Sequence, residues 1–504
     1  MNPDRTTIIF GPPGTGKTFS LLNKVSNYLD RGFAPEEIGF VTFTRVAAEE
    51  AKSRACERFM LKRSKLLNFR TLHSMAFQQL GLKRESVISY KHLAEVAEAC
   101  GLKVTPRATR MNTEEGLWAG ASKGDKIMFI ENYSRISKVT LDEALSASEF
   151  DDIDNLILNL WARSLKSYKQ ANALLDFTDM VDDWIKHGSV PTLKVLFVDE
   201  AQDLSKVQWD MVRRLAKQDC DNWVAGDDDQ AIFKWAGAHP ESFVGLGGTR
   251  ITLSQSYRVP KVVHSLAMEM RTQIPDSVEK IYAPRKEQGV LAFYGDLEQV
   301  DMSEGNWLIL CRNNYFISQI EETCRRLGYW YDSIFDPPTF CTLPILDYHR
   351  FLKGERLSVH DLEAILKMMG RTINVKKDYT KEEFIQDFER DERTICECFS
   401  SSMPWFDAFQ GMPVEKRTYY RSVLQRKENI RGAPRIRIST IHGAKGGEED
   451  NVVILTDMSN KTYAKATLSW ADEYRVWYVG VTRTKHNLHI IKPKTGNCIP
   501  LLAL

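Results

Sequence analysis

TTIIFGPPGTGKTFSLLNKVSNYLDRG, from Thr6 to Gly32, is a short apolar run, a turn rich in glycine and proline, and a stretch with helical spacing. Its middle, Gly11–Thr18, fits G-x-x-x-x-G-K-[ST] at all four defined positions, after a predicted strand and before a predicted helix. Gly11, Gly14 and Gly16, with Pro12 and Thr15 between them, let consecutive backbone N–H groups curl around a phosphate. The N-terminus of the following helix adds its dipole. Lys17 is expected to reach the β- and γ-phosphates of a nucleotide, and the Thr18 hydroxyl to ligate Mg²⁺.

Outward from this turn, β-like runs alternate with helical stretches. IGFVTFT (Ile38–Thr44), LKVLFVDEA (Leu193–Ala201), NWVAGDDD (Asn222–Asp229) and RITLSQS (Arg250–Ser256) read as strands. So do NWLILCR (Asn306–Arg312), RIRIST (Arg435–Thr440), NVVILTD (Asn451–Asp457) and HNLHIIK (His486–Lys492). The pattern is that of α/β cores with parallel sheets flanked by helices. Two mostly helical, charge-rich stretches interrupt it. The first carries Asp142, Glu143, Glu149, Asp151, Asp152 and Asp154; the second opens at FDPPTFCTLP (Phe335–Pro344). The expected plan is a first core over 1–80 and 165–247 with an insertion over 81–164. A second core is expected over 248–335 and 431–504, with an insertion over 336–430.

Composition narrows the class. The 504 residues include 68 basic and 67 acidic side chains, so a polyanion must be met by a local patch rather than bulk charge. No stretch has the roughly 18 uninterrupted apolar residues of a membrane span, and no membrane partner is expected. The N-terminus lacks a basic leader with an apolar run. Nine cysteines are scattered, only Cys396 and Cys398 being close, which suits a reducing cytosol. A cytoplasmic protein, in a bacterial or phage-infected cell, is expected.

VLFVDEAQD (Val195–Asp203) ends an apolar strand in two carboxylates. Asp199 suits a water-mediated Mg²⁺ role, and Glu200 the base that orients and deprotonates an attacking water. With GDDDQ (Gly226–Gln230), SYR (Ser256–Arg258), TIHGAKGGEED (Thr440–Asp450) and YVGVTRTK (Tyr478–Lys485), the chain resembles the UvrD/Rep/PcrA-like superfamily-one helicases. TFTRVAAEEAKSR (Thr42–Arg54) and TLHSMAF (Thr71–Phe77) resemble that family's further motifs. The resemblance implies two RecA-like cores that hydrolyse ATP in the cleft between them and ratchet single-stranded DNA across their top, 3′ to 5′. It gives Gln230 the sensing of the γ-phosphate and the water. Arg258 and Arg483 become arginine fingers from the second core. Glu448 holds the ribose, and Tyr257 stacks on the base.

On the DNA side the resemblance implies stacking on Phe43, Phe233 and Trp235. It also implies backbone contacts from Thr71, His73, Arg312, Asn314 and His442. Stacking accepts any base, as a motor requires. Basic windows flank these motifs. Ala51–Arg70 holds seven basic residues against Glu57 alone, and Arg421–Thr440 holds six against Glu428 alone.

The sequence also departs from the family. Ten residues precede Gly11 and none is Gln, the residue that usually reads adenine. Phe19 follows G-K-T where an Arg is frequent, and Val46 and Ala236 replace commonly basic positions. Stacking of a purine between Tyr257 and Phe19 is therefore expected; the alternative has Phe19 in the core behind its helix. Both insertions are shorter than in the large repair helicases, and no C-terminal nuclease domain is expected after Arg483. The expected partners are single-stranded and forked duplex DNA, with accessory replication or repair proteins. An ATP-gated binding or protein-displacing module without processive unwinding is the alternative, and an RNA-directed motor a further one.

Overall fold

The computed structural model describes residues 1–43, 45–106, 122–148, 150, 152–217, 219–333, 339–353, 355, 357–369 and 403–502. Thr44, Glu149, Asp151, residues 335–338 and the Cys396/Cys398 pair lie outside them. The chain divides into two compact units. One is Met1–Val259 with Met268–Lys286 and Ala471–Tyr478; the other is Pro260–Ala267, Glu287–Trp470 and Val479–Leu504.

The first unit is built on six parallel strands: β1 (Thr6–Phe10), β2 (Ile38–Thr42), β3 (Phe69–Thr71), β4 (Val195–Val198), β5 (Asp221–Gly226) and β6 (Thr249–Thr252), in the order β3-β2-β4-β5-β1-β6. Side chains alternate between the two faces of the strands. Ile8, Phe10, Leu196 and Val198 enter one core, while Ile9, Val195 and Phe197 enter another. All four residues of β4 are buried, as expected of a strand covered on both faces. Because β4, β5 and β1 are parallel neighbours, the residues that follow them emerge side by side at one edge of the sheet. Those residues are Asp199, Asp227 and Gly11.

Two expected boundaries move. β6 pairs with β1 from Thr7↔Thr249 to Phe10↔Thr252 and closes the first sheet, so the first unit runs to Val259 and not to 247. Its exposure on the sheet's edge explains why it carries few apolar residues. The helical insertion is pinched at its base by the parallel bridge Val87↔Leu175. Its last helix, Asn155–Ala171, runs past the expected end at 164 and gives Leu158, Trp161 and Leu165 to the insertion's own core with Val96, Ile127 and Ile130.

The second unit holds β7 (Val290–Tyr294), β8 (Trp307–Cys311), β9 (Tyr331–Ser333), β10 (Ile436–Thr440), β11 (Glu449–Leu455) and β12 (Thr484–Ile491). They are parallel in the order β7-β12-β11-β8-β10-β9. The doubly sheeted α/β class is thus the one read from the sequence. The expected second insertion is not a separate body among the described residues. Ile345, Tyr348, Phe409, Tyr419 and Val423 share one core with Trp307, Ile309, Tyr331 and Ile436. The Tyr419 hydroxyl donates to the Tyr329 carbonyl at 2.8 Å. Among the described residues no helix is long and apolar enough to cross a membrane.

Candidate functional site

The loop after β1 is shaped by its glycines. Gly14 and Gly16 have φ of +72° and +78°, where a side chain is strained. A Cβ on Gly11 would lie 2.0 Å from Lys17 Cγ, and one on Gly14 would lie 2.4 Å from Arg258 Cβ. The turn is held from within and from outside. Thr15 Oγ1 donates to the Pro12 carbonyl at 2.8 Å. Ser256 Oγ donates to the Pro13 carbonyl at 2.8 Å, and the Tyr257 N–H to the Gly14 carbonyl at 2.9 Å. The helix Lys17–Asp30 starts behind Gly16, which has no side chain to offer the first-turn N–H groups. The Lys17 ammonium donates to the Gly11 carbonyl at 3.0 Å and lies 3.7 Å from Glu200 Oε1. Curled backbone, helix terminus and ammonium together suit a polyanion.

Tyr257 and Arg258 therefore belong to the first unit, not to the second core as the resemblance implied. The segment that follows β6 lays them directly against the phosphate loop. Phe19 is 59% exposed and Tyr257 74%, so the core alternative for Phe19 is excluded. The Arg58 guanidinium lies over the Phe19 ring at 5.7 Å.

Beyond β4 the carboxylates form a linked series. Thr18 Oγ1 donates to Asp199 Oδ2 at 2.5 Å, and the Glu200 N–H to Asp199 Oδ1 at 3.0 Å. Burial and the neighbouring Glu200 charge push the Asp199 carboxyl up to about 6, against the opposing pull of Thr18 and Lys17. Glu200 sits at φ +51°, a left-handed backbone that costs a non-glycine residue about 1–3 kcal/mol and is found at functional sites. Gln202, fully buried, donates from Nε2 to Glu200 Oε2 at 2.6 Å and accepts the Asp227 N–H on Oε1 at 3.0 Å. Gln230 Nε2 donates to Asp227 Oδ2 at 2.6 Å. Glu200 and Gln230 are thus joined through Gln202 and Asp227.

Gln202 lies within DEAQD, but its bridging role is not legible there. Nor is Lys280 marked by any motif, although its ammonium touches Asp227, Asp228 and Asp229. The available signal was the triple aspartate itself, since three acids ending a buried strand require a cation from somewhere.

Mg²⁺ can be tested against the donor set. The Thr18 hydroxyl and the Asp199 carboxyl, raised by burial and by the Glu200 charge, are hard oxygen ligands. Among the described residues no three His, Cys, Asp or Glu side chains could hold a metal alone. Thr18 and Asp199 would suit an ion bound through one or two protein oxygens and substrate phosphates.

In the second unit, Arg483 and Glu448 stand where β12 and β11 begin. The Glu449 N–H donates to the Arg483 carbonyl at 3.1 Å, and Lys485 Nζ lies 3.2 Å from Glu448 Oε1. Arg483 is buried, its Nε donating to the Val479 carbonyl at 3.0 Å and Nη1 to the Gly447 carbonyl at 3.2 Å. Arg312, Asn314 and His442 follow the other ends, those of β8 and β10, which are paired neighbours. The two groups therefore occupy opposite edges of that sheet.

Residues 1–248 match the UvrD/REP helicase N-terminal domain, and residues 416–495 the UvrD-like helicase C-terminal domain. The chain belongs to the UvrD/REP helicase family. It is 25% identical to the ATP-dependent DNA helicase Rep of Escherichia coli (strain K12) over 270 residues, 51% of this chain and 38% of that one. It is 25% identical to the ATP-dependent DNA helicase srs2 of Schizosaccharomyces pombe (strain 972) over 312 residues, 54% of this chain and 34% of that one. It is 24% identical to the ATP-dependent DNA helicase PcrA of Staphylococcus aureus (strain Mu50) over 278 residues, 52% and 37% of the two chains. The match thus spans under two fifths of each relative's length.

Several positions expected on this UvrD/REP chain's nucleic-acid face are otherwise engaged. Phe43 is 8% exposed and stacks on Phe233 at 6.0 Å, so it is core and not an open platform. Thr71 is buried, its hydroxyl accepting the Ser74 N–H as cap of the helix Leu72–Gln79. His73 meets Phe177 edge-on at 5.7 Å. Trp235 is 37% exposed, with its ring parallel to Phe129 of the insertion at 6.2 Å. The basic windows are also less bare than their sequence suggests. Arg54 pairs with Glu50 and Arg63 with Glu49, acids lying just outside the window, and Lys65 pairs with Glu36 further upstream. In the later window Arg435 pairs with Glu428 and Arg437 with Glu449.

Proposed function

We propose that this chain is an ATP-dependent DNA helicase or single-strand translocase of 3′–5′ polarity, hydrolysing ATP with Mg²⁺ at the loop Gly11–Thr18. The observation that carries the reading is the continuous link from Glu200 through Gln202 and Asp227 to Gln230, beside Lys17. Lys17 and the loop N–H groups hold the phosphates. Thr18 and Asp199 are the residues that would hold Mg²⁺, which when bound disperses charge on the phosphate oxygens. Glu200 takes a proton from water as the water oxygen bonds to the γ-phosphorus. The bond from that phosphorus to the bridging oxygen breaks, leaving ADP and phosphate. Gln230 orients the water, and Arg258, packed on the loop, supplies cationic charge to the transferring phosphoryl group.

For the DNA, Trp235 is the aromatic best suited to stacking, because its ring is both exposed and backed by Phe129. ATP turnover with and without single-stranded DNA tests the motor reading, followed by unwinding of 3′- and 5′-tailed duplexes. DNA-stimulated turnover with separation of the 3′-tailed duplex is expected. Stimulation without strand separation would favour a protein-displacing module, a reading to which the burial of Phe43 and Thr71 lends weight.

A further inference from the structure

The acidic loop after β5 concentrates more buried charge than hydrolysis itself uses. Asp227, Asp228 and Asp229 are each at most 3% exposed. One ammonium meets all three: Lys280 Nζ lies 2.8 Å from Asp227 Oδ1, 2.5 Å from Asp228 Oδ1 and 2.8 Å from Asp229 Oδ2. The segment bearing Lys280 is itself latched. Arg271 lies 3.0 Å from Asp229 Oδ2 and donates to the carbonyls of Lys280 at 2.6 Å and Val278 at 2.7 Å. The Val278 N–H returns to Asp228 Oδ2 at 2.8 Å. Burial would raise the Asp227 carboxyl, yet the Lys280 charge, assisted by Lys17, holds it below the usual carboxylate range. Asp227 therefore stays an acceptor for the Gln230 amide.

We propose that Lys280 is a positioning residue for hydrolysis: it pins Asp227, and through it sets the Gln230 amide. The inference rests on the hydrolytic reading above. Its physical basis is that an ammonium is a compact point charge, so three converging carboxylates give it one location. The loop follows that location, and an error of about 1 Å in placing a reacting group costs on the order of 10²-fold in rate. A buried ionic cluster is a poor source of stability compared with an apolar filling, so geometry is the better account of its presence.

Lys280→Met would leave three buried acids facing one another and is expected to impair folding, so Lys280→Arg carries the test in the full-length chain. The planar guanidinium keeps the charge but offers no single point for three carboxylates. The expected result is kcat lowered about tenfold or more per folded molecule, with affinity for a fluorescent ADP analogue within about twofold of wild type. In a Gln230→Ala background the same change should lower kcat less than about threefold, because the group it positions is gone. Wild-type kcat in Lys280→Arg overturns the proposal, and so does a full multiplicative loss in the double variant. If Gln230→Ala alone leaves turnover unchanged, the hydrolytic reading of the site fails instead.

Discussion

Two carboxylate groups stand at the ends of neighbouring strands and are held in different ways. After β4, the Lys17 ammonium lies 3.7 Å from Glu200. Burial and mutual repulsion raise the Asp199 carboxyl to about 6. After β5, three aspartates receive Lys280 and Arg271 within 3.0 Å; Asp227 is held below the usual carboxylate range against its burial, while burial and the Asp227 charge raise Asp229. The first pair holds a buried carboxyl raised by burial and by its neighbour's charge, and so suits a cationic partner. The second is tied by Lys280 and Arg271 into one buried ionic cluster. On the proposed reading, adjacent strands carry a chemical site and its mount.

The contrast predicts different outcomes for removing charge at each place. Glu200→Gln should lower kcat by about 10²–10⁴, the usual worth of a general base, while leaving nucleotide affinity and the melting temperature near wild type. Near wild-type turnover in that protein would break the comparison at its first term. Lys280→Met should act on stability, costing about 3–5 kcal/mol in equilibrium urea unfolding, because it leaves buried charge uncompensated. A loss below about 1 kcal/mol would mean that the frame is not ionic.

Smaller effects sharpen the picture. Trp235→Ala should weaken single-strand affinity by about 1–3 kcal/mol in a binding titration, with basal turnover intact. A large stability loss with unchanged strand affinity would mark the ring as packing for Phe129 only. Phe19→Ala, at an exposed position, should change stability by less than about 0.5 kcal/mol while raising KM for ATP and GTP together. A change in KM for ATP alone would argue against a stacking role.

Legibility in the sequence followed the range of the interactions. The phosphate loop, the Asp199–Glu200 pair and Gln230 lie in short motifs whose spacing is itself the chemistry, and those motifs converge on one sheet edge. Phe19 was legible as an aromatic beside the loop, but not its 59% exposure. The basic windows misled in two ways: Glu36 and Glu49 come back onto Lys65 and Arg63 across turns, while Glu50, one residue outside the window, pairs with Arg54 at i,i+4 within one helix.

By itself the sequence determined the alternation of strands and helices, the position of the phosphate loop, and which strand ends carry acids. These are local properties: glycine tolerance of positive φ, apolar periodicity, and the order of residues around a turn. Only the tertiary structure decided that β6 completes the first sheet and brings Tyr257 and Arg258 onto the loop. It likewise decided that Phe43 is buried against Phe233, and that Lys280 closes on acids some fifty positions earlier in the chain. Burial and charge pairing depend on which surfaces meet in space, and a pairing across so long a separation leaves no spacing in the sequence to read.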